Sequence, residues 1–294
     1  MSLFSGLDKS GLKSAETMET LENTQKEKED QNIMEKQKEL EKQQAAQTQR
    51  AIPPEKDFLL PKTTHCMACD QDFKVKTVKS GKARRLQPDR DLRPRFQYID
   101  TLKYDVASCP FCGYTAMTRD FDKVTSTQIK LIKEQISAKF QPSKEPEEDS
   151  YSYDKAIERY KLALLNAAVK RGKESEKAYI CLKISWLIRG KADTLPGSTQ
   201  EELAVKEKLK KEEDTFYLQA YEGFSKAISQ EMFPIYGMDE STMDYLLAYM
   251  SFYFKKYEMA SKFLGGVLTS ATASPRLKDM ALDLKQDIVA QMKR

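Results

Sequence analysis

The chain has 294 residues, of which 49 are Lys or Arg and 45 Asp or Glu; 32% are charged and 40% hydrophobic. No window approaches the roughly 18 uncharged apolar residues of a membrane span, and Met1–Ser14 (MSLFSGLDKSGLKS) lacks the continuous apolar stretch of a secretory signal, so the expected address is cytoplasmic. Five cysteines in a charged chain without an export signal argue for reduced thiols and metal ligation rather than a disulfide framework.

Charge divides the chain into three. Residues 1–50 carry 8 basic and 10 acidic side chains, residues 51–140 carry 17 and 11, and residues 141–294 carry 24 of each. From Lys13 to Arg50 the composition is Glu, Lys, Gln and Thr almost throughout, and Met18, Leu21, Ile33, Met34 and Leu40 hold no sustained heptad. Such a segment buries too little to offset chain entropy, so 1–50 is expected to be a charged arm, disordered or a frayed helix. Pro53-Pro54 ends it.

Residues 58–140 change pattern. Phe73, Val75 and Thr77 alternate with charged neighbours, as do Leu102, Tyr104 and Val106, and period two predicts short half-buried strands. One strand leaves Cys66-Met67-Ala68-Cys69 and the other enters Cys109-Pro110-Phe111-Cys112-Gly113, so antiparallel pairing of the two would bring four sulfurs together. Thr125 then opens a helix with Gln128 placed for a capping box and Ile129, Ile132, Ile136 and Phe140 at helical steps. Gln141–Ser150, with two prolines and four acids, reads as a domain boundary.

The remainder, 151–294, reads as helical. Tyr151–Val169 ends at Gly172, Glu174–Arg189 ends at Gly190, and a charged helix runs from about Thr199 to Ser229 after the Leu195-Pro196-Gly197 break. Another starts at Ser241 and breaks near Lys255-Lys256; Ser274-Pro275 caps the last, which carries the stripe Leu277, Met280, Ala281, Leu284, Ile288 and Met292. Three helices share one template of small, large, small and large residues: Ala156, Tyr160, Ala163 and Leu164; Ala220, Phe224, Ala227 and Ile228; Ala260, Leu264, Val267 and Leu268, each preceded at three positions by Tyr153, Tyr217 or Tyr257. With Ala248 twelve residues before Ala260, this half resembles a degenerate tetratricopeptide array, although the repeats are spaced by 64 and 40 residues. Such arrays stack helix pairs around a groove for peptides or helices. Of the aromatics crowded between Tyr245 and Tyr257, most are expected in the core, with Tyr249, Tyr253 and Lys256 as candidates to face a partner.

The chemical signal lies in the two Cys-x2-Cys pairs. A two-residue gap lets both thiolates of one turn reach the same ion, and Cys66, Cys69, Cys109 and Cys112 make a four-sulfur set that selects zinc, with iron as the competitor. Such a set leaves no open position for water, so the zinc is expected to be structural and not catalytic. Redox-active pairs would need a thioredoxin-like frame, and no βαβ pattern surrounds either pair. His65, the only histidine, adjoins Cys66 but is surplus to a satisfied tetrahedron; Cys181, inside a helix, reads as a small core residue. The basic insert Lys79–Arg95, followed by Phe96 and Tyr98, offers nucleic-acid chemistry, but Asp89, Asp91 and Asp100 are interleaved with its arginines and favour an ion-paired loop.

Together, the first Cys-x2-Cys, Arg84-Arg85-Leu86 with Asp89-x-Asp91-Leu92-Arg93-Pro94, Leu102-Lys103-Tyr104-Asp105-Val106, the Cys109-Pro110-Phe111-Cys112-Gly113-Tyr114 knuckle and a helical tail resemble the bacterial family called domain of unknown function 2225, over roughly 58–290. The resemblance implies a cytoplasmic bacterial protein with a zinc ribbon and tetratricopeptide-like helices, and assigns no activity. Asp70 stands where the first knuckle of many ribbons has glycine. The expected fold is thus α+β and mostly α: a zinc-ribbon-like module, then a helical repeat domain. The expected function is a non-enzymatic interaction protein holding a protein or peptide partner in its helical groove; the alternative is a nucleic-acid-binding ribbon with a helical recruitment domain. The chain has no phosphate-binding glycine loop or nucleophile motif, so no enzyme is expected.

Overall fold

The computed structural model describes residues 52–142 and 148–293; the expected charged arm lies outside them. From Pro54 on the chain forms one compact unit, mostly helical, with a small β module at its start. Among the described residues, no helix is long and apolar enough to cross a membrane.

The β module is two hairpins. Strands β1 (Leu59–Cys66) and β2 (Gln71–Val78) pair antiparallel with Thr64 opposite Phe73, while β3 (Val106–Ser108) and β4 (Thr115–Met117) pair with Ala107 opposite Ala116. The expected pairing of the 73–77 strand with 102–106 is therefore corrected: each strand pairs with its own sequence neighbour, and the cysteine pairs sit in the two hairpin turns. The expected strand at Leu102–Val106 is also corrected, because Thr101–Tyr104 is a 3-10 turn and strand geometry begins only at Val106. The Asp100 carboxylate accepts from the Leu102 amide at 3.1 Å, and the turn carries Lys103 and Tyr104 to Glu55, at 2.6 and 2.9 Å. Side-chain capping of the backbone here competes successfully with the strand ladder.

Seven helices follow. α1 (Ser126–Gln135) starts with the reciprocal Thr125–Gln128 capping box, as the sequence predicts. α2 (Tyr153–Val169) and α3 (Glu174–Asp193) pack together, and α3 packs most extensively on α4 (Gln200–Gln230). α5 (Glu240–Tyr253), α6 (Tyr257–Thr269) and α7 (Pro275–Met292) complete the array; Asp239 caps α5, and Ser274 caps α7 with Pro275 at its first position. The first three residues of each template copy, from Ala156 to Val267, are at most 1% exposed, while the fourth, Leu164, Ile228 or Leu268, is partly exposed. Small residues bring helices close: a methyl on Gly223 of α4 would lie 2.8 Å from the Ala178 Cβ of α3.

Of the two glycines expected to terminate helices, Gly172 closes the end of α2, its amide donating to the Ala167 carbonyl at 2.8 Å, whereas Gly190 does not end α3. Arg171, not Gly172, takes the left-handed turn after α2 at φ 54°, while Gly172 makes room for the Glu176 carboxylate, 2.3 Å from where its Cβ would be. Gly190 lies inside α3, which continues to Asp193, because Arg93 and Tyr153 press against its Cα. Packing is continuous from module to helices: Leu102, Val106 and Met117 share one core with Tyr160, Leu187 and Phe224, and the Tyr160 hydroxyl donates to the Leu102 carbonyl at 2.9 Å.

Candidate metal centre

Each hairpin turn is a knuckle of the same construction. Cys66 ends β1 and the Asp70 amide donates to its carbonyl at 2.8 Å; the Gly113 amide donates to the Cys109 carbonyl at 3.1 Å. The fifth residue of each turn is left-handed, Asp70 at φ 61° and Gly113 at φ 74°. Aspartate tolerates that conformation better than most residues with a side chain, so the first knuckle keeps its geometry without glycine. Backbone amides point at sulfur in matching places: those of Ala68 and Cys69 at Cys66, those of Phe111 and Cys112 at Cys109. Such donors favour the thiolates a metal needs.

The two turns meet tip to tip. Sγ of Cys66 lies 3.6 Å from Sγ of Cys112, and Sγ of Cys69 lies 3.6 Å from Sγ of Cys109. All four sulfurs lie within 4.8 Å of one another, and no disulfide joins them. Thiolates about 2.3 Å from a tetrahedral ion are separated by about 3.8 Å. The donor set therefore fits one metal ion, and it is the set of four cysteines expected from the spacing. Without an ion, hydrogen bonds from Cys112 and Cys66 pull Cys109 down towards thiolate, while the hydrogen bond with Cys109, first of all, holds Cys66 and Cys112 up.

The centre is shielded by Phe73, Tyr114, Phe121, Ile132 and Ile136, from both hairpins and α1. A Cβ at Gly113 would stand 2.4 Å from the Phe140 ring, so this glycine is required for close approach as well as for φ. Asn166 of α2, fully buried, donates to the Gly113 carbonyl at 3.3 Å and fastens the second knuckle to the helices. Neither Phe140 nor Asn166 stands out in the sequence as part of the centre, since each reaches it from a different element.

His65 turns away from the sulfurs: Nδ1 lies 2.8 Å from Asp72 and Nε2 3.1 Å from Asp70. Its pKa is raised, first by the Asp72 hydrogen bond. Cys181 is 4% exposed in α3, and burial pushes its thiol up to about 12, as suits a packing residue.

The basic insert is an ion-paired loop, the interpretation favoured by its interleaved acids. Asp91, 1% exposed, accepts from Trp186 Nε1 and pairs with Arg189, both at 2.8 Å. Arg93, 2% exposed, lies 3.3 Å from both Asp100 and Asp193. Arg84 and Arg85 are exposed, as is Tyr98. The three groove candidates are engaged within the chain: Arg90 lies over the Tyr249 ring, the Tyr253 hydroxyl meets Lys210 and Asp214, and Lys256 lies over Tyr221.

No curated protein and no solved structure matches the chain significantly. Residues 59–288 match a family model described as an uncharacterized protein conserved in bacteria, DUF2225. That span contains both knuckles, the insert and all but the last residues of α7, so the chain belongs to the bacterial DUF2225 family.

Proposed function

We propose that this is a non-enzymatic interaction protein of the cytoplasm, in which Cys66, Cys69, Cys109 and Cys112 hold a structural zinc ion and the tetratricopeptide-like helices receive a protein or peptide partner. The observation that carries the reading is the closure of the four sulfurs within 4.8 Å at the tips of two hairpins fastened to the helical array. Four thiolates saturate a tetrahedral ion, so the chemistry it supplies is a cross-link and not an activated water. The reading assigns no reaction. The recurrence of the template on α2, α4 and α6, its first three positions buried each time, supports the repeat interpretation.

Elemental analysis of the purified full chain tests the metal: one zinc per chain is expected, lost in the Cys109→Ser, Cys112→Ser double variant. Iron with visible absorption, or retention of metal by that variant, would overturn it. A second reading, nucleic-acid binding, is favoured by exposed Arg84 and Arg85 beside exposed Tyr98. It requires binding to RNA or DNA that weakens steeply with salt and falls in Arg84→Ala, Arg85→Ala, whereas partner binding to the helices survives moderate salt.

A further inference from the structure

The insert between the knuckles already occupies a face of the helical array. Its stem is a short ladder, with the Leu86 amide donating to the Arg95 carbonyl at 2.8 Å and the Gln97 amide to the Arg84 carbonyl at 2.9 Å. Its tip lies across three helices that are not neighbours in sequence. On α3, Trp186 and Arg189 take Asp91; on α5, the Tyr245 hydroxyl donates to the Arg90 carbonyl at 2.9 Å; on α7, Arg276 donates to Gln87 at 3.0 Å and Asp287 pairs with Arg90 at 2.6 Å. Leu92 packs between the core around α3 and the core around α5 and α7.

This contact is built to be close to balance. Apart from Leu92 it is made of charged and polar groups, and the attraction of buried ion pairs is largely offset by the water they give up. Leu92 is held at φ 68°, a conformation unfavourable for a branched side chain, and the Nε of buried Arg93 has no hydrogen-bond partner. Two unfavourable features at the tip are sustained by a stem whose two ends run into β2 and into the turn before β3. β2 begins two residues after Cys69 and β3 ends one residue before Cys109, and these two sulfurs are 3.6 Å apart. Closing that span of chain with an ion limits how far the tip can stray from the helices.

Resting on the interaction reading above, we infer that the insert is an internal occupant of the partner-binding face, held there by the metal cross-link, and that the partner is a protein segment presenting a carboxylate, a leucine-sized apolar group and a guanidinium in succession, as Asp91-Leu92-Arg93 does. Metal occupancy then sets whether the face is closed by the chain itself or open to that segment.

Trp186 is the only tryptophan in the chain and lies under the tip, so it reports docking directly. The experiment compares zinc-loaded and chelated full chain by Trp186 emission, by trypsin cleavage after Arg90 and Arg95 (Arg93 precedes proline), and by binding of a fluorescein-labelled peptide copying residues 84–97. Expected on zinc removal are a red-shifted emission, cleavage at both sites, retained helical circular dichroism and peptide binding at least tenfold tighter than to the loaded chain. Arg189→Gln should abolish peptide binding to the chelated chain. Unchanged Trp186 emission with an uncut insert, no peptide binding by the chelated chain, or collapse of the helical signal together with the metal would overturn the inference. The interaction reading fails separately, if neither the loaded nor the chelated full chain captures a partner that survives moderate salt.

Discussion

Gly190, in the last turn of α3, lies directly under the guanidinium of Arg93: a methyl group at its Cα would stand 2.7 Å from Nη2 of Arg93 and 2.7 Å from Cε1 of Tyr153. With the insert docked, both neighbours are anchored by ion pairs or hydrogen bonds. Arg93 is bound to Asp100 and Asp193, and the Tyr153 hydroxyl donates to Asp100 at 3.0 Å. Gly190→Ala should therefore destabilise the chain by about 1–3 kcal/mol, the usual cost of overpacking, despite alanine's better helix propensity. Gly265 of α6 is the control, since a methyl there meets nothing within 4 Å; Gly265→Ala should stabilise by roughly 0.5–1 kcal/mol. Urea titration of both at fixed zinc checks the pair, and a stabilised Gly190→Ala would show that the insert yields freely.

Asp91 holds two donors, Trp186 Nε1 and the Arg189 guanidinium. Asp91→Ala would leave the Trp186 indole N–H unpaired and remove a close carboxylate from Arg189, which keeps Glu213 at 2.8 Å. A loss of about 3 kcal/mol is expected, at the low end for breaking a buried pair because Arg189 retains one anion. Burial of Asp91 at 1% makes the change measurable by denaturation and by the shift in Trp186 emission. A loss below about 1 kcal/mol would mean that water replaces the carboxylate.

What could be read from residues alone follows from the range of the interactions. The Thr125–Gln128 box, the Ser274-Pro275 start and the Cys-x2-Cys turns involve residues within four positions of one another, so their geometry is written locally. The strand expected at Leu102–Val106 failed because alternation of apolar residues also suits a 3-10 turn when Asp100 caps it and Glu55 receives its side chains. Gly190 looked like a helix end because the arginine it accommodates comes from about a hundred residues earlier. The docking of Asp91 on Trp186 and of Gln87 on Arg276 spans 95 and 189 positions and leaves no periodic trace.

The thiols divide into two classes that a titration separates. In the zinc-loaded chain the four knuckle sulfurs are ligands, and Cys181 is buried with its thiol pushed up to about 12, so a thiol reagent at pH 8 should find almost none reactive. A chelator should expose four and full denaturation the fifth. Five reactive thiols on chelation alone would show that α3 opens with the metal centre.

Asp244 of α5 supplies the pH dependence. Burial first, and the nearby Glu240 second, raise its carboxyl from 3.8 to about 6, so the folded chain binds this proton more tightly than the unfolded chain does. The sign follows from linkage: between these two values the native state holds more protons, so stability falls as pH rises from about 4 to about 6 and then levels. The side chain is only partly buried, and screening reduces the cost at neutral pH to on the order of 1 kcal/mol. Asp244→Asn should remove that cost, stabilising the chain at pH 7 while leaving it nearly unchanged at pH 4. Because acid also protonates the zinc thiolates, the comparison is made as the difference between variant and parent at each pH, with both chains metal-free. An equal gain at pH 4 and pH 7 would assign the effect to packing against Gly266, where the carboxylate lies 2.4 Å from the position of a Cβ, and not to ionisation.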